Sequence, residues 1–134
     1  MMATRSTIAV VLPNGSIRSV YVHFDGYISG VGKTLLSHWN SQELAEKITS
    51  IGDMSILGER INPIGEHSFD KPELGTCLLY GRDRGKTDSN PITYISLNDY
   101  YISNNKEEYN YLFFDNCWHV MDGKSDRENM VKFY

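Results

Sequence analysis

The stretch Gly30-Val31-Gly32-Lys33-Thr34 is where residue types and spacing in this chain first suggest chemistry. Its Gly-Lys-Thr ending matches the close of a phosphate-binding P-loop, which needs Gly, four residues, then Gly-Lys-Ser/Thr. Counting back from Gly32 puts the first glycine at position 27, and that residue is Tyr27. Gly26 comes one residue too early. A tyrosine at that point resists the backbone conformation that wraps phosphates and crowds the cradle. P-loop NTPase chemistry is therefore set aside. Two readings of the turn remain. It opens a helix whose free N–H groups favour an anion, or it is a tight strand-to-helix turn with no ligand.

Arg82-Asp83-Arg84 stands between Gly81 and Gly85. Read as the end of a strand, Arg82 and Arg84 point to one face and Asp83 to the other. Two guanidinium forks on one face suit a diphosphate or two separate phosphates. The alternative is a solvated charged loop.

Other chemistry is weaker. The histidines stand at 23, 38, 67 and 119, without metal-finger spacing, and the cysteines are Cys77 and Cys117. His23-Phe24-Asp25 is a tripeptide that a metal hydrolase uses, but it lacks the further His/Asp cluster of such a site. The other reading is that His23 ends a strand and Asp25 closes an Asx-type turn. Both cysteines read as core residues rather than nucleophiles. Glu107-Glu108 falls in a solvated stretch. No catalytic residue, metal or cofactor is expected.

Composition narrows the partners. The 134 residues carry a formal charge of −4, which disfavours duplex nucleic acid but leaves room for a small anion in a locally basic pocket. No apolar run is long enough for a membrane span, and the first six residues lack the core of a signal peptide. The expectation is one domain over residues 1–134, in a reducing cytosol, with free thiols.

The elements that must position these residues follow from periodicity. Residues 7–12 and 17–23 read as a hairpin around Pro13-Asn14-Gly15-Ser16. Alternation puts Ile17, Ser19, Tyr21 and His23 on one face and Arg18, Val20 and Val22 on the other. Residues 24–29 form a turn. A helix over 30–39 carries Val31, Leu35, His38 and Trp39 at helical spacing. Ser41 caps a second helix with Leu44, Ile48 and Ile51 as its stripe, and Gly52 ends it. Residues 58–75 read as loops with at most a short strand. Residues 77–80 read as a strand, and 92–96 as a strand or 97–103 as a short helix. Residues 109–114 and 117–121 form a second hairpin. The tail, 123–134, is a last helical turn or a partly ordered arm. The fold expected is α+β: an antiparallel sheet with an N-terminal hairpin, two consecutive helices packed on it, and a C-terminal hairpin.

In order along the chain, four segments resemble a family of phage proteins. These are His23 to Gly32 (His-Phe-Asp-Gly-Tyr-x-x-Gly-Val-Gly) with the Leu35-x-x-His-Trp helix, Gly52-Asp53-Met54-Ser55-Ile56-Leu57-Gly58, Tyr80-Gly81-Arg82-Asp83-Arg84-Gly85, and the final hairpin with Trp118-His119-Val120. The family is that of the Thoeris anti-defence sponges. Phe24 stands where the family has Trp, Ile28 where it has Pro, and Gly81 where it has His. The resemblance implies a homo-oligomer, dimeric or dimer-based, in the host cytoplasm. It would capture a small cyclic nucleotide signal, a cyclic ADP-ribose isomer or a cyclic oligonucleotide, and leave it uncleaved. On that reading Phe24 or Tyr27 stacks on the base and Arg82 and Arg84 clamp the pyrophosphate. Asp25 holds the turn or accepts from a ribose hydroxyl, and Asn90 and Arg127 complete the site from a partner subunit. An enzyme that degrades the same signal, or a protein that blocks a host factor by contact, are the rival expectations.

Overall fold

A computed structural model describes residues 3–103, 105–122 and 131–133. Strand β1 (Ser6–Val11) pairs antiparallel with β2 (Ile17–Val22), Ser6 opposite Val22 and Val11 opposite Ile17. The connection closes through Leu12 N–H to the Ser16 carbonyl at 2.8 Å, with Gly15 in the left-handed region at φ 88°. Asn14 Oδ1 accepts from the Ser16 N–H at 3.0 Å, the local bond that makes Asn a turn residue.

A π-helical turn (Ile28–Gly32) leads into α1 (Lys33–His38), and α2 (Gln42–Ile48) follows. Ser41 Oγ accepts from the Leu44 N–H at 3.1 Å, so the expected cap is present. The stripe of α1 differs in one member: Leu35 and Trp39 are buried, whereas His38 is exposed and lies 3.6 Å from Glu59. Then come β3 (Met54–Ile56), β4 (Leu78–Leu79), α3 (Tyr80–Arg84), β5 (Ile92–Tyr94), α4 (Leu97–Ile102), β6 (Tyr109–Phe114), β7 (Cys117–Asp122) and β8 (Val131–Lys132). Both alternatives for residues 92–103 are present together, β5 and then α4, with Ser96 capping α4. Val131–Lys132 pairs with β7, so this part of the tail is strand, not helix. Residues 58–75 hold one isolated bridge, Arg60 to Thr76.

The fold is α+β. Its sheet runs β4-β3-β2-β1-β6-β7-β8, with β5 also on β2. The sheet is mostly antiparallel, as expected, and two of its pairs are parallel: β1 with β6, and β2 with β3. The C-terminal hairpin reaches the sheet after a long crossover and docks beside β1 in the same direction. No local sequence signal dictates that choice.

The sheet has two occupied faces. Ile8, Val10, Val20, Val22, Tyr111, Phe113 and Trp118 pack with Val31, Leu35, Trp39, Ala45 and Ile48 of the helical segments. The two indoles are satisfied inside this layer: Trp118 Nε1 donates to the Trp39 carbonyl and Trp39 Nε1 to the Gly58 carbonyl, each at 3.0 Å. Opposite, Ala9, Ile17 and Leu112 pack against Tyr100 of α4. The alternation read in β2 is observed: Val20 and Val22 join the first layer, and Ile17 the second.

The loop before β4 is closed by one carboxylate. Glu73 accepts from Thr76 Oγ1 at 2.6 Å, from the Ile64 N–H at 2.9 Å and from the Gly65 N–H at 2.8 Å. The Thr76 hydroxyl, then the two N–H groups, hold its pKa down from 4.5 to about 2. A depressed carboxyl pKa contributes stability above the ordinary value and loses it as pH falls through the folded one. The Ile64 and Gly65 amide resonances are therefore expected to titrate with a midpoint near 2, and Glu73→Gln to abolish the transition. A midpoint near 4.5 would mean that this closure does not form.

Candidate functional site

The glycine-rich turn is built by close approach. Gly26 donates to the Thr4 carbonyl at 2.9 Å, and a Cβ there would stand 2.8 Å from that same oxygen, so only glycine fits. Tyr111, fully buried on β6, donates its hydroxyl to the Gly26 carbonyl at 2.7 Å. Burial pushes the Tyr111 pKa up, so that proton stays in place. Asp25 takes φ 61°, in the left-handed region that Asp tolerates better than most residues.

The anion-cradle reading of the turn is corrected by its hydrogen bonds. Gly30 N–H donates to the Tyr27 carbonyl at 3.0 Å and Val31 N–H to the Asp25 carbonyl at 2.8 Å. These donors are consumed inside the π-helical turn and do not face a ligand. The side chains face outward instead: Phe24, Tyr27 and Ile28 are 43%, 40% and 42% exposed. Asp25 Oδ1 accepts from the Tyr27 hydroxyl at 3.0 Å, and His23 meets the Phe24 ring edge-on at 4.5 Å. His23 Nδ1 is bonded to the Tyr21 hydroxyl at 2.6 Å.

The arginine pair departs from expectation most. Residues 80–84 are helical, not strand, so positions two apart lie roughly 200° around the axis rather than on one face. The reason is local. Asp83 Oδ2 accepts from the Leu79 N–H at 2.8 Å at the helix start, and Gly85 closes the end at φ 77°. Asp83 does not point away from Arg82; it takes the Arg82 fork at 2.8 and 3.0 Å. Arg82 also donates to the Ile61 carbonyl at 2.7 Å and the Cys77 carbonyl at 3.0 Å. Burial raises the Asp83 carboxyl, but Arg82, Leu79 and His67 together outweigh it and hold its pKa below the usual range. His67, nearly buried, reaches Asp83 through Nε2 at 3.1 Å and accepts the Glu73 N–H on Nδ1 at 2.9 Å. Arg82 is thus a strut between α3 and the preceding loop. Arg84 lies over the Phe69 ring at 5.3 Å. The shared-face clamp is corrected accordingly.

Asn90 is exposed, beside Ser89 whose carbonyl takes the Asp53 N–H at 2.8 Å. Arg127 lies outside the described residues. Cys77 and Cys117 are free, and burial raises the Cys77 pKa. Among the described residues no group of three His, Cys, Asp or Glu side chains could hold a metal ion.

What the turn does shape is a cleft of about 610 Å3 lined by Ile28, Ser29, Lys33, Leu36, Ser37 and Tyr109. Ser29, Lys33, Leu36 and Ser37 recur at three- and four-residue spacing, which is one helical face. Ser29, Lys33 and Ser37 are exposed on it, while Leu36, like Tyr109, is half-buried and packs against the core layer of Val31, Leu35 and Trp39. Tyr109, first residue of β6, forms the opposite wall. Lys33 makes no ion pair among the described residues. Sequence reasoning passed over this set. The outward stripe was open to the same periodicity count that found the core stripe, but Tyr109 joins it only through the parallel β1–β6 pairing.

Comparison with family models, with curated proteins and with solved structures finds no match to this chain. The described residues contain no helix long and apolar enough to cross a membrane.

The two arginines are expected to separate on substitution. Arg82→Ala should lower the unfolding free energy by about 1.5–3 kcal/mol, the scale for charge-assisted bonds. Arg84→Ala should cost less than about 0.5 kcal/mol, as a surface change. Urea melts of the two variants read the difference, and equal costs would contradict the strut.

Proposed function

We propose that this protein binds a nucleotide-like anion in the cleft beside α1 and holds it without chemical change. The observation that carries the reading is the composition of that cleft: Lys33, without an ion pair among the described residues, shares the lining with an aromatic residue, Tyr109, and two aliphatic ones, Ile28 and Leu36. A phosphate needs a cation and N–H or hydroxyl donors, supplied by Lys33, Ser29 and Ser37. A base needs a flat apolar surface, supplied by Tyr109. The volume lies within the usual range of small-molecule sites. Phe24 and Tyr27 precede Ile28 on the same turn and are exposed, though they are not among the lining residues.

The resemblance to phage anti-defence sponges supports the same reading and specifies it. The ligand is then a cyclic nucleotide immune signal, a cyclic ADP-ribose isomer or a cyclic oligonucleotide, sequestered in the host cytoplasm by a homo-oligomer. Retention rather than turnover is the mechanism, so one site removes one ligand and slow release matters more than fast capture. Degradation of the signal and direct inhibition of a host protein are the outcomes that the test separates.

Equilibrium dialysis against cyclic ADP-ribose, followed by heat denaturation and assay of what is released, reads all three. Intact nucleotide retained and then released is the expected result. Lys33→Ala should weaken retention by about tenfold or more. Recovery of a breakdown product would identify an enzyme instead. Nucleotide left free in both compartments would leave only protein contact.

A further inference from the structure

The sheet face opposite α1 and α2 carries a second cleft, of about 220 Å3, between β1, β2, β5 and the segment before β6. Its lining differs in kind from that of the first. Asp53 and Glu107 supply two carboxylates, Tyr21 and Tyr94 two aromatic rings, and Thr7 and Ser19 two hydroxyls on the sheet. No lysine or arginine is among the lining residues.

The fold uses the Thr7, Tyr21 and Tyr94 hydroxyls, which bond to Asn110, His23 and Asn105, but leaves three other polar groups of the lining with capacity to spare. Ser19 is only 7% exposed, yet its hydroxyl makes no hydrogen bond among the described residues. Glu107 offers its backbone N–H to Asn110 Oδ1 at 2.9 Å, but its carboxylate forms no ion pair among them. Asp53 uses one oxygen to accept the Tyr21 N–H at 2.9 Å, and its carboxylate likewise forms no ion pair. Beneath the cleft, Tyr100 is 2% exposed, with its hydroxyl near that of Thr7 and its ring packed edge-on against Tyr94 at 5.6 Å. Two half-buried carboxylates without a counter-charge, and a buried hydroxyl without a donor, among the described residues are open to a partner entering the cleft.

Among the described residues no lysine or arginine forms an ion pair with Asp53 or Glu107, although the Lys86 charge acts on Asp53. Lys86 pairs with Asp88 at 3.8 Å, and Arg5 lies near Tyr21 without pairing with either carboxylate. Lys106 donates to the Ser103 carbonyl at 3.0 Å, at the end of α4. Burial raises the Asp53 pKa, and the Tyr21 N–H and the Lys86 charge offset only part of that rise.

We propose that this second cleft binds a small organic cation, a guanidino or alkyl amine. Its N–H groups would meet Asp53, Glu107 and Ser19, and its charge would lie against the rings of Tyr21 and Tyr94. An ammonium or guanidinium supplies donors only, which suits a lining of acceptors. Aromatic faces attract such a cation. The volume is that of about seven water molecules at ~30 Å3 each, which fits a four- or five-carbon amine. A neutral polyol would find the same hydroxyls but would leave both carboxylates without a counter-charge.

Isothermal titration of the full chain with agmatine tests this, with D-ribose as the neutral probe. Saturable one-to-one agmatine binding is expected, with no ribose binding. Glu107→Gln and Asp53→Asn should each weaken it by about tenfold to a hundredfold. Lys33→Ala, in the other cleft, should leave it unchanged, so failure here is distinguishable from failure of the nucleotide reading. The Glu107 carboxylate makes no ion pair or hydrogen bond among the described residues, and Glu107→Gln therefore serves even where Asp53→Asn impairs folding. Absence of agmatine binding, equal affinity in Glu107→Gln, or ribose binding in its place would overturn the proposal.

Discussion

The backbone of Gly26 is pressed between the Thr4 carbonyl and the Tyr111 hydroxyl, and the remaining architecture near the first cleft depends on that contact. Tyr111 stands on β6, which reaches β1 only by the long crossover. Gly26 stands at the end of the opening hairpin. A single buried hydrogen bond thus joins the two hairpins at the point where the chain leaves the sheet for α1. Together with the Gly26 N–H bond to Thr4 and the packing of Val31, Leu35 and Trp39 on the sheet, it fixes where the π-helical turn starts and how α1 lies relative to Tyr109. A buried tyrosine hydroxyl left unmatched costs on the order of 1–3 kcal/mol, so the contact selects one position for the turn.

Charge in this protein is divided between structural and free roles. Arg82, Asp83 and His67 form a closed set, each satisfied by the others or by backbone carbonyls and N–H groups. Glu73 does the same for the loop before β4. Lys33, Asp53 and Glu107 form no such sets among the described residues. They line clefts of opposite character on opposite faces of the sheet. A cation beside an aromatic and aliphatic wall suits an anion with a base, and paired carboxylates beside tyrosines suit an organic cation.

Local features were legible in the sequence because their causes are local. The Asn14-Gly15 turn, the alternating faces of β2, the Ser41 cap and the second hairpin each rest on residues a few positions apart. Two features were not. The parallel pairing of β1 with β6 rests on packing between segments about 100 residues apart, and alternation alone does not distinguish parallel from antiparallel. The helical state of residues 80–84 rests on Asp83 turning back to Leu79 and on Gly85 in a left-handed conformation. Glycines flanking a charged run suit a strand end equally well, and so Arg82 and Arg84 read as a clamp. Of the site, the turn itself was legible and its outward aromatics were identified. The lining of the cleft was not, because Lys33 drew attention only as part of an incomplete P-loop and Tyr109 is distant in sequence.

The central claim is that the turn positions a ligand through the outward face of α1 and Tyr109, not through the arginine pair. Mapping backbone amide shifts while titrating cyclic ADP-ribose tests it most directly. The account predicts that the largest perturbations fall on Ile28, Ser29, Lys33, Ser37 and Tyr109. Perturbations centred on Arg82, Arg84 and Asn90, with the α1 face unmoved, would contradict it.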